Sequence, residues 1–413
     1  MSNDLLGGVR IIESSAFVAA PLCGLTLAQF GADVIRVDMI GGGIDYGRMP
    51  LAPSGRSFYW TGLNRQKRSL AVDLSRPEGR ELVAALASAP GENGGVLLTN
   101  IPTRWLSHES LAARRSDMIT CTIEGNSDGT TAVDYTVNCA TGYPAITGPG
   151  SRERPVNHAF PAWDVACALQ AATAIAAAVG RRRSTGQGAE LRIALSDIAF
   201  ATISSLGLVA EAEILDADRP STGNDIYGAF GRDFPTRDGQ RVMVAAISRK
   251  QWTSLVSACG MADAVAALER ALGADLSRED ERFEHREVIA ALVRRWTQAR
   301  DLAEIGEVFE AAGVCWGPYR TVGELLAHDP RVATEAGLFE TVETPGIGRH
   351  RAAGSPVRLN GSERRSVRPA PYLGAHTDAV LADVLKLSSG EIGRLHDAGI
   401  VAGPDRDPTA GTA

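Results

Sequence analysis

The stretch VRIIESSAFVAAPLCGLTLAQFGADVIRVD, residues 9–38, decides the fold. Its first six residues, 9–14, form a short apolar run that is typical of a buried strand. Residues 21–31 then place apolar side chains at helical spacing and end on a glycine, which is a common helix stop. Residues 32–38 have the pattern of a second strand. This order of strand, helix and strand predicts a parallel β-α-β unit.

The same alternation continues along the first half of the chain. Short apolar runs at residues 69–74, 95–100 and 118–123 are typical of buried strands. Residues 77–89 begin with a proline and have the spacing of a helix. Short strands that alternate with helices of this length favour the α/β class with a parallel sheet.

Composition and charge limit the possible classes of protein. The chain has 413 residues, enough for about two or three domains. Hydrophobic residues make up 44% and charged residues 22%, which fits a folded protein with a sizeable core. The formal net charge of −7 argues against nucleic acid or an anionic membrane as a partner.

Cysteine spacing and hydropathy indicate the compartment. The six cysteines include no C-x-x-C pair, and no Cys/His cluster has zinc spacing, so we expect free thiols in a reducing compartment and no metal. The first residues lack the basic segment of a signal peptide. The longest apolar run, residues 165–179, is short for a bilayer. These features predict a cytoplasmic protein.

The composition changes near residue 216. Residues 216–240 are rich in loop-forming residues, residues 241–247 have the pattern of a strand, and residues 251–312 are charged with helical spacing. This change predicts a second, smaller domain. Residues 403–413 are polar and rich in glycine and proline, and we expect them to be disordered.

Cationic residues collect near the ends of predicted strands. NRQKRS, residues 64–69, brings three cations to a strand start, and Arg36 and Arg104 lie at or beyond the ends of other strands. One interpretation is a solvated basic turn. The other is a polyphosphate site, because ligands of open α/β sheets bind beyond the carboxyl ends of the strands. GGGIDYG, residues 41–47, is a weak dinucleotide signal, because it follows the second strand rather than the first.

Asp164 stands at the start of an alanine-rich apolar run. Aspartate is a preferred helix N-cap, and position alone favours that role. A poorly solvated carboxylate is also a stronger nucleophile, able to attack an acyl carbon and form a mixed anhydride. Asp134 and Tyr135 lie in a polar loop, where a turn role and a ligand contact are about equally expected. The chain has no G-x-S-x-G motif.

A set of motifs runs in order along almost the whole chain. They are AAPLCG with LAQFGADVIRVD, LNRQKRSLAVDL with PEGRELV, TNIP, WDVACAL, GRRRSTGQGAELRIALSD, GPYRTVGELLAHDP and PAPYLGAHTD. Together they resemble the family III CoA-transferases. The resemblance implies a Rossmann-like large α/β domain built from both chain ends, residues 1–205 and 330–413, which binds CoA. It also implies a smaller α+β domain, residues 222–320, and an interlocked homodimer of two ring-like subunits.

The resemblance further implies roles for particular residues. Asp164 matches the catalytic nucleophile of the family. The cofactor-binding positions are Phe17, Val18, Arg36, Leu63, Asn64, Lys67, Asn100, Ile101, Arg104, Asp134 and Tyr135. Lys67 and Arg104, together with Arg36, are expected to bind the CoA phosphates. Backbone N–H groups near residues 17–18 are expected to stabilise an oxyanion. In two departures, Met39 stands where the family often has a basic residue, and the glycine-rich lid loop of one family branch has no counterpart.

The same resemblance favours acyl transfer over the racemase chemistry of another branch. The racemase proton carriers match Val133 and Ser248 here, and neither valine nor a neutral serine is an effective base. Several longer stretches resemble one member of this family. This resemblance implies that CoA is transferred from C1 to C4 within one molecule of mesaconyl-CoA. CoA would enter as part of the substrate, with no permanently bound cofactor. Transfer to a separate carboxylic acid and a non-catalytic CoA-binding role are the alternatives, and a nicotinamide oxidoreductase is a more distant one.

Overall fold

The computed structural model describes residues 4–411. Its strands are, in chain order, β1 (Arg10–Ser14), β2 (Asp33–Met39), β3 (Arg68–Val72), β4 (Val96–Thr99), β5 (Ile119–Glu124), β6 (Ala189–Ala194), β7 (Phe230–Pro235), β8 (Arg241–Ala246), β9 (Cys315–Pro318), β10 (Phe339–Thr344), β11 (Gly348–Ala353) and β12 (Val401–Ala402). Its α-helices are α1 (Ala19–Gln29), α2 (Phe58–Leu63), α3 (Pro77–Ala87), α4 (His108–Ala112), α5 (Asp134–Cys139), α6 (Tyr143–Ile146), α7 (Ala162–Thr185), α8 (Leu195–Ser205), α9 (Leu208–Leu215), α10 (Arg249–Ala258), α11 (Ala262–Leu272), α12 (Glu279–Glu284), α13 (Arg286–Thr297), α14 (Leu302–Ala312), α15 (Val322–His328), α16 (Thr377–Leu385) and α17 (Ser389–Asp397).

The largest sheet has its strands in the order β12-β3-β2-β1-β4-β5-β6. All neighbouring strands are parallel except β12, which runs antiparallel to β3. The chain builds outward from β1 to β3 on one side and from β4 to β6 on the other, so the strand order reverses between β1 and β4. The predicted α/β class with a mostly parallel sheet is confirmed. In such sheets, ligands bind where the order reverses, beyond the carboxyl ends of the strands.

Helices α1 and α7 pack against each other beside this sheet. Gly24 permits α1 to approach β1 closely, because a Cβ at this position would lie 1.7 Å from Oε2 of Glu13. Helix α7 is long and apolar enough to cross a membrane by length and composition alone. It nevertheless packs on α1, β5 and β6, and its buried Arg182 donates to the Gly95 carbonyl. We therefore interpret α7 as a core helix.

The chain divides into two compact units. Apart from the undescribed termini, the first unit comprises the chain up to Thr141, then His158–Val209, and the chain from Pro330 onward. The second comprises Gly142–Asn157 and Ala210–Asp329. Strand β12 and helix α16 both contact β3, so the C-terminal segment completes the sheet of the first unit. This division does not test the domain limits predicted from the sequence, which stay a prediction.

The second unit contains a three-stranded antiparallel sheet in the order β7-β8-β9. Helices α10 and α13 pack on it, and its core includes the buried side chains of Phe230, Trp252 and Phe309. Strand β7 lies within residues 216–240, which were predicted to be a loop. Gly231 and Pro235, which are poor strand formers, hide this strand, whose Phe230 and Phe234 are fully buried.

Two further features differ from the expectations. The antiparallel hairpin of β10 and β11 was not predicted. The disorder expected for residues 403–413 is wrong for the described part, 403–411. There the buried Asp407 accepts hydrogen bonds from the Tyr46 hydroxyl at 2.6 and 2.8 Å and from the Leu373 N–H at 2.7 Å. The composition of this segment does not indicate these contacts, because Tyr46 and Leu373 lie far from Asp407 along the chain.

Candidate active site

A cavity of about 450 Å³ lies at the edge of the sheet where the strand order reverses. Its walls come from the segments that follow β1, β4 and β5 and from the starts of α1, α5 and α7. Six predicted site residues line it, namely Phe17, Val18, Asn100, Asp134, Tyr135 and Asp164, together with the unpredicted Arg48 and Tyr59. The structure therefore brings these residues from six separate parts of the sequence to one cavity.

Asp164 is the third residue of α7 and does not cap this helix. The cap is Asp134, whose Oδ2 accepts hydrogen bonds from the N–H groups of Trp163 and Asp164 at 2.7 and 3.1 Å. The other oxygen of Asp134 lies 2.6 Å from Nε2 of His158. The capping role that position alone favoured for Asp164 thus belongs to Asp134, because its carboxylate satisfies the exposed N–H groups of the first turn. The Asp164 side chain is left to line the cavity.

The electrostatic setting of Asp164 suits a nucleophile. Within residues 4–411, no donor forms a hydrogen bond with its carboxyl group. Burial, and then the negative charge of Asp134, raise the pKa of Asp164 to about 7, although Arg48 opposes this rise. The carboxylate is therefore poorly stabilised as an anion, which increases its reactivity. One turn further along α7, burial raises the pKa of the Cys167 thiol to about 12, so a competing thiolate is not available.

The loop between β1 and α1 is held in a fixed shape at the same cavity. The side chain of Asn100 accepts from the Ala16 N–H at 2.9 Å and donates to the Ala16 carbonyl at 2.8 Å. Asp45 Oδ2 accepts from the Phe17 N–H at 2.9 Å. These contacts hold Phe17 at φ +65°, a conformation that non-glycine residues rarely adopt. Helix α1 then begins at Ala19, and the N–H groups of its first turn have no intrahelical acceptor.

Lys67 and Asn64, which were predicted to contact CoA, lie in a buried network. Lys67 Nζ donates to Glu13 Oε1, Asn64 Oδ1 and the Pro21 carbonyl, each at 2.8 Å, so all three ammonium protons are used. Burial lowers the pKa of Lys67 to about 8, against the opposing charge of Glu13. The structure therefore does not agree with direct binding of a phosphate by Lys67, because the group has no donor left.

Arg36 is the second cation of this network. Its Nε donates to Asp38 Oδ1 at 2.8 Å, and a terminal nitrogen donates to Glu13 Oε1 at 3.2 Å. Its other terminal nitrogen donates to the Ser15 carbonyl at 2.9 Å. Burial lowers the pKa of Arg36, but the charges of Asp38 and Glu13 outweigh burial and raise it. Arg36 thus braces the loop after β1, and although it lines a second cavity, most of its donors are used inside the protein.

The remaining predicted contacts lie outside the main cavity. Ile101 lines a second cavity of about 350 Å³, which lies between the ends of β2 and β4 and also includes Met39 and Arg80. Arg104 is exposed at the start of the short 3-10 helix that follows β4. Leu63 is partly buried at the end of α2. Of the three predicted phosphate-binding cations, only Arg104 presents its charge to solvent.

Arg48 and Tyr59 line the cavity but were not predicted as site residues from the sequence. Arg48 ends the stretch GGGIDYGR, which follows β2 and so comes from a strand end like the other site residues. Tyr59 is on α2, and burial raises its pKa to about 12, so its hydroxyl is neutral at physiological pH. Val133 lines the cavity as an apolar group, whereas Ser248 caps α10 in the second unit. The position of a racemase base is thus occupied by a side chain that cannot carry a proton.

A desolvated carboxyl group at the point where the strand order reverses is chemically suited to acyl transfer. The model of a family described as CoA-transferase family III matches residues 6–377, and the chain belongs to that family. The family resemblance inferred from the motifs is confirmed, and the chain is an enzyme of this family.

Particular relatives narrow the comparison. The chain is 50% identical over 406 residues to 2-methylfumaryl-CoA isomerase of Chloroflexus aurantiacus, a match that covers 98% of this chain and 99% of that protein. It is 28% identical over 432 residues to formyl-CoA:oxalate CoA-transferase of Rhodopseudomonas palustris, covering 97% and 98% of the two chains.

A solved structure shares the fold. The crystal structure of a CAIB/BAIF family protein from Brucella suis matches with a TM-score of 0.75 and 24% identity, and covers 93% of this chain and 100% of that one. Both have a mixed α/β fold with a central, mostly parallel sheet and a smaller antiparallel sheet.

Proposed function

We propose that this enzyme moves CoA from C1 to C4 within one molecule of 2-methylfumaryl-CoA, also called mesaconyl-CoA. The observation that carries the proposal is the Asp164 carboxyl group, which lines the main cavity and has a pKa raised to about 7. Within residues 4–411, this carboxyl group accepts no hydrogen bond. The choice of acyl group is supported by the name of the relative that is 50% identical over almost the full chain.

The proposed first half-reaction produces an enzyme–CoA thioester. A carboxylate oxygen of Asp164 attacks the C1 carbonyl carbon, the new C–O bond forms, and the C–S bond breaks to release CoA thiolate. The thiolate then attacks the aspartyl carbonyl carbon of this mixed anhydride. A C–S bond forms, the anhydride C–O bond breaks, and free mesaconate remains in the cavity. No net proton transfer is required.

The second half-reaction repeats these steps with the other carboxylate. The C4 carboxylate attacks the aspartyl thioester and expels the thiolate, which gives a second anhydride. The thiolate attacks C4, and the Asp164 carboxylate leaves. Because the acid stays bound, this half-reaction keeps the advantage of a reactant held beside its partner. The anhydrides must be kept from water, which favours a cavity over an open surface.

The start of α1 supplies the proposed oxyanion site. The first-turn N–H groups lack intrahelical acceptors, and Val18 and Ala19 line the cavity. Donors that are already fixed in place stabilise a developing oxyanion most effectively. Asn100 and Asp45 fix the preceding loop, so we assign them a positioning role.

CoA would extend from the main cavity along the carboxyl ends of the strands. In this arrangement Phe17, Val18, Asn100 and Tyr135 contact the acyl and thiol end, and Ile101 contacts the part of CoA in the second cavity. Arg104 holds a phosphate, and Leu63 stays a proposed contact. The buried network stabilises the site through hydrogen bonds among Arg36, Asn64 and Lys67. Asp134 accepts hydrogen bonds from the start of α7.

The assembly and the compartment are part of the same proposal. We propose an interlocked homodimer, in which residues 1–205 and 330–413 bind CoA and residues 222–320 form the small domain. The large exposed side chains Phe200, Leu206 and Ile214 on or near α8 and α9 support burial against a partner. Light scattering after gel filtration would measure the mass of the assembly. The enzyme is expected in the cytoplasm, without a nucleic-acid or membrane partner.

The deciding experiment is a chromatographic assay with mesaconyl-C1-CoA and no added acid. The native enzyme is expected to produce the C4 isomer, and Asp164→Ala to lose at least about 10⁴-fold of that rate, because the covalent route is removed. Circular dichroism would confirm that the variant is folded. If the product forms only after a second carboxylic acid is supplied, the enzyme is an intermolecular CoA-transferase instead. If Asp164→Ala retains the rate, the nucleophile is assigned wrongly.

A further inference from the structure

Arg48 is the one cation among the described residues that line the main cavity. The same wall carries three acidic residues, Glu124, Asp134 and Asp164. A dicarboxylic acyl-CoA would bring a further negative charge into this space. Without a cation, that charge would be repelled by the carboxylates already present. The charge balance of the cavity therefore makes Arg48 important for which acyl groups can enter.

The guanidinium of Arg48 is held in place but is not neutralised. Its central carbon lies 5.0 Å from the centre of the Tyr59 ring and 5.7 Å from that of Phe17. Within residues 4–411, its guanidinium forms no hydrogen bond or ion pair with a side chain. Stacking on aromatic rings orients a guanidinium and leaves its edge donors available. This contrasts with Arg36, which donates hydrogen bonds to Asp38, Glu13 and the Ser15 carbonyl inside the protein.

The charge of Arg48 reaches the catalytic carboxyl group, since it opposes the rise in the pKa of Asp164. Because Arg48 and Asp164 line the same cavity, an anion paired with Arg48 would lie inside that cavity. In an intramolecular transfer, one carboxyl group of the substrate reacts while the other is a free carboxylate. The reaction also needs the released dicarboxylate to stay bound until its second carboxylate attacks.

We propose that Arg48 is the specificity-determining residue that binds the non-reacting carboxylate of a dicarboxylic acyl-CoA. The forked guanidinium accepts a carboxylate through two parallel hydrogen bonds, which fixes orientation as well as charge. It binds the C4 carboxylate in the first half-reaction and the C1 carboxylate in the second, so the acid is retained between them. This inference rests on the proposed function, because it assigns a role within that reaction.

The test compares two acyl-CoA substrates that differ only at this carboxylate. Tigloyl-CoA carries a methyl group where mesaconyl-C1-CoA has its C4 carboxylate. Both have a C1 thioester that Asp164 is expected to attack, so each should yield the enzyme–CoA thioester. Rapid quenching and intact-protein mass spectrometry would measure its rate of formation with each substrate in the native enzyme, Arg48→Gln and Arg48→Lys.

The native enzyme is expected to prefer mesaconyl-CoA by about 100-fold, the scale of hydrogen bonds to a charged group. Arg48→Gln should reduce this preference to within about threefold, mainly by slowing the reaction of mesaconyl-CoA. Arg48→Lys keeps the charge but loses the fork, and should retain about a tenfold preference. Free mesaconate released per C4 product formed, measured by chromatography, should rise in Arg48→Gln.

Other outcomes would separate the two proposals. If Arg48→Gln slows both substrates by the same factor, Arg48 acts on Asp164 or on CoA, and the specificity role is overturned. If free mesaconate does not increase in that variant, retention of the acid is overturned. If the native enzyme forms no enzyme–CoA thioester with either substrate, the proposed function itself fails.

Discussion

Two groups of charged side chains in the first unit differ in how fully they are paired. In the buried network, Lys67 uses all three of its donors and Glu13 Oε1 accepts from both Lys67 and Arg36, whereas Glu13 Oε2 has no hydrogen-bond partner within the described residues. In the main cavity, neither the Asp164 carboxyl group nor the Arg48 guanidinium has a side-chain hydrogen-bond partner within the described residues.

The difference shows how the same residue types take on structural or chemical roles. A buried charge that is fully paired has no free donor or acceptor to offer a ligand, and it stabilises one arrangement of the loop after β1. The unpaired Asp164 carboxylate is largely desolvated and carries an unfavourable free energy that bond formation with a substrate can relieve, whereas the exposed Arg48 keeps its donors available to a ligand. Pairing, rather than residue type, therefore separates the supports of this site from its reacting groups.

The largest expected effect is a loss of unfolding free energy when one charge is removed from the buried network. Lys67→Met leaves Glu13, which is fully buried, without its ammonium partner. Removing one member of a buried pair typically costs about 3–5 kcal/mol of unfolding free energy, and thermal and urea unfolding would measure this loss. Arg104→Gln is the matched control, because this exposed cation was predicted for the same phosphate role.

The control should behave in the opposite way. Arg104→Gln is expected to raise the KM for the acyl-CoA by about tenfold while the free energy of unfolding changes by less than about 0.5 kcal/mol. A Lys67→Met variant with native stability and the same rise in KM would show that Lys67 binds CoA after all.

The second prediction concerns the pH dependence of the unpaired carboxyl group. Because the pKa of Asp164 is raised to about 7, the nucleophilic anion is lost as the pH falls below that value. The rate of enzyme–CoA thioester formation should fall about tenfold per pH unit below pH 7 and level off above it. Single-turnover measurements between pH 5 and 9 would detect this. A rate that is flat down to pH 5 would contradict the raised pKa.

A third variant would sharpen the comparison by removing one cause of the raised pKa. Asp134→Asn keeps an oxygen to cap α7 but removes the negative charge that, after burial, raises the pKa of Asp164. The acid limb of the rate profile should move to lower pH by up to about one unit. Asp397→Asn, at the exposed end of α17, is the control and should leave the profile unchanged. An unmoved acid limb in Asp134→Asn would leave burial alone as the cause.

The smallest expected effect is the change in thermal stability when the carboxyl group of Asp164 is replaced. The folded-state pKa of Asp164, about 7, lies above the ordinary value of 3.8, so the folded protein binds more protons between these values and loses stability as the pH rises through them. Asp164→Asn removes this loss. After allowance for solvent screening, we expect the Tm to rise by about 2 °C at pH 8 and by less at pH 5. Calorimetry at both pH values would measure it, and a lower Tm at pH 8 would contradict it.

Much of the first unit could be predicted from local sequence. The strands predicted at residues 9–14, 32–38 and 118–123 agree with the structure to within about two residues, because their apolar runs are continuous and bounded by clear helix or glycine signals. Strand β7 and the β10–β11 hairpin were missed, since pairing with distant strands stabilises them more than their own residues do.

The site divides in the same way. Asp164, Phe17 and Asn100 were predicted from the sequence as site residues, and all three line the main cavity, while their roles stay predictions. The environments of Lys67 and Asp134 were not, because their partners Glu13 and Trp163 lie far away along the chain. A single sequence carries the identity of a charged residue but not the identity of the groups that surround it.

The sequence by itself determined the α/β class, the parallel order of its first strands and the acidic residue at the start of α7. Only the tertiary structure decided that Asp134 caps that helix, that Lys67 and Arg36 donate inside a buried network, and that Arg48 is the cation among the described residues of the cavity. The physical reason is range. Strand and helix patterns arise from neighbours along the chain, whereas burial and pairing of charges depend on which distant segments meet.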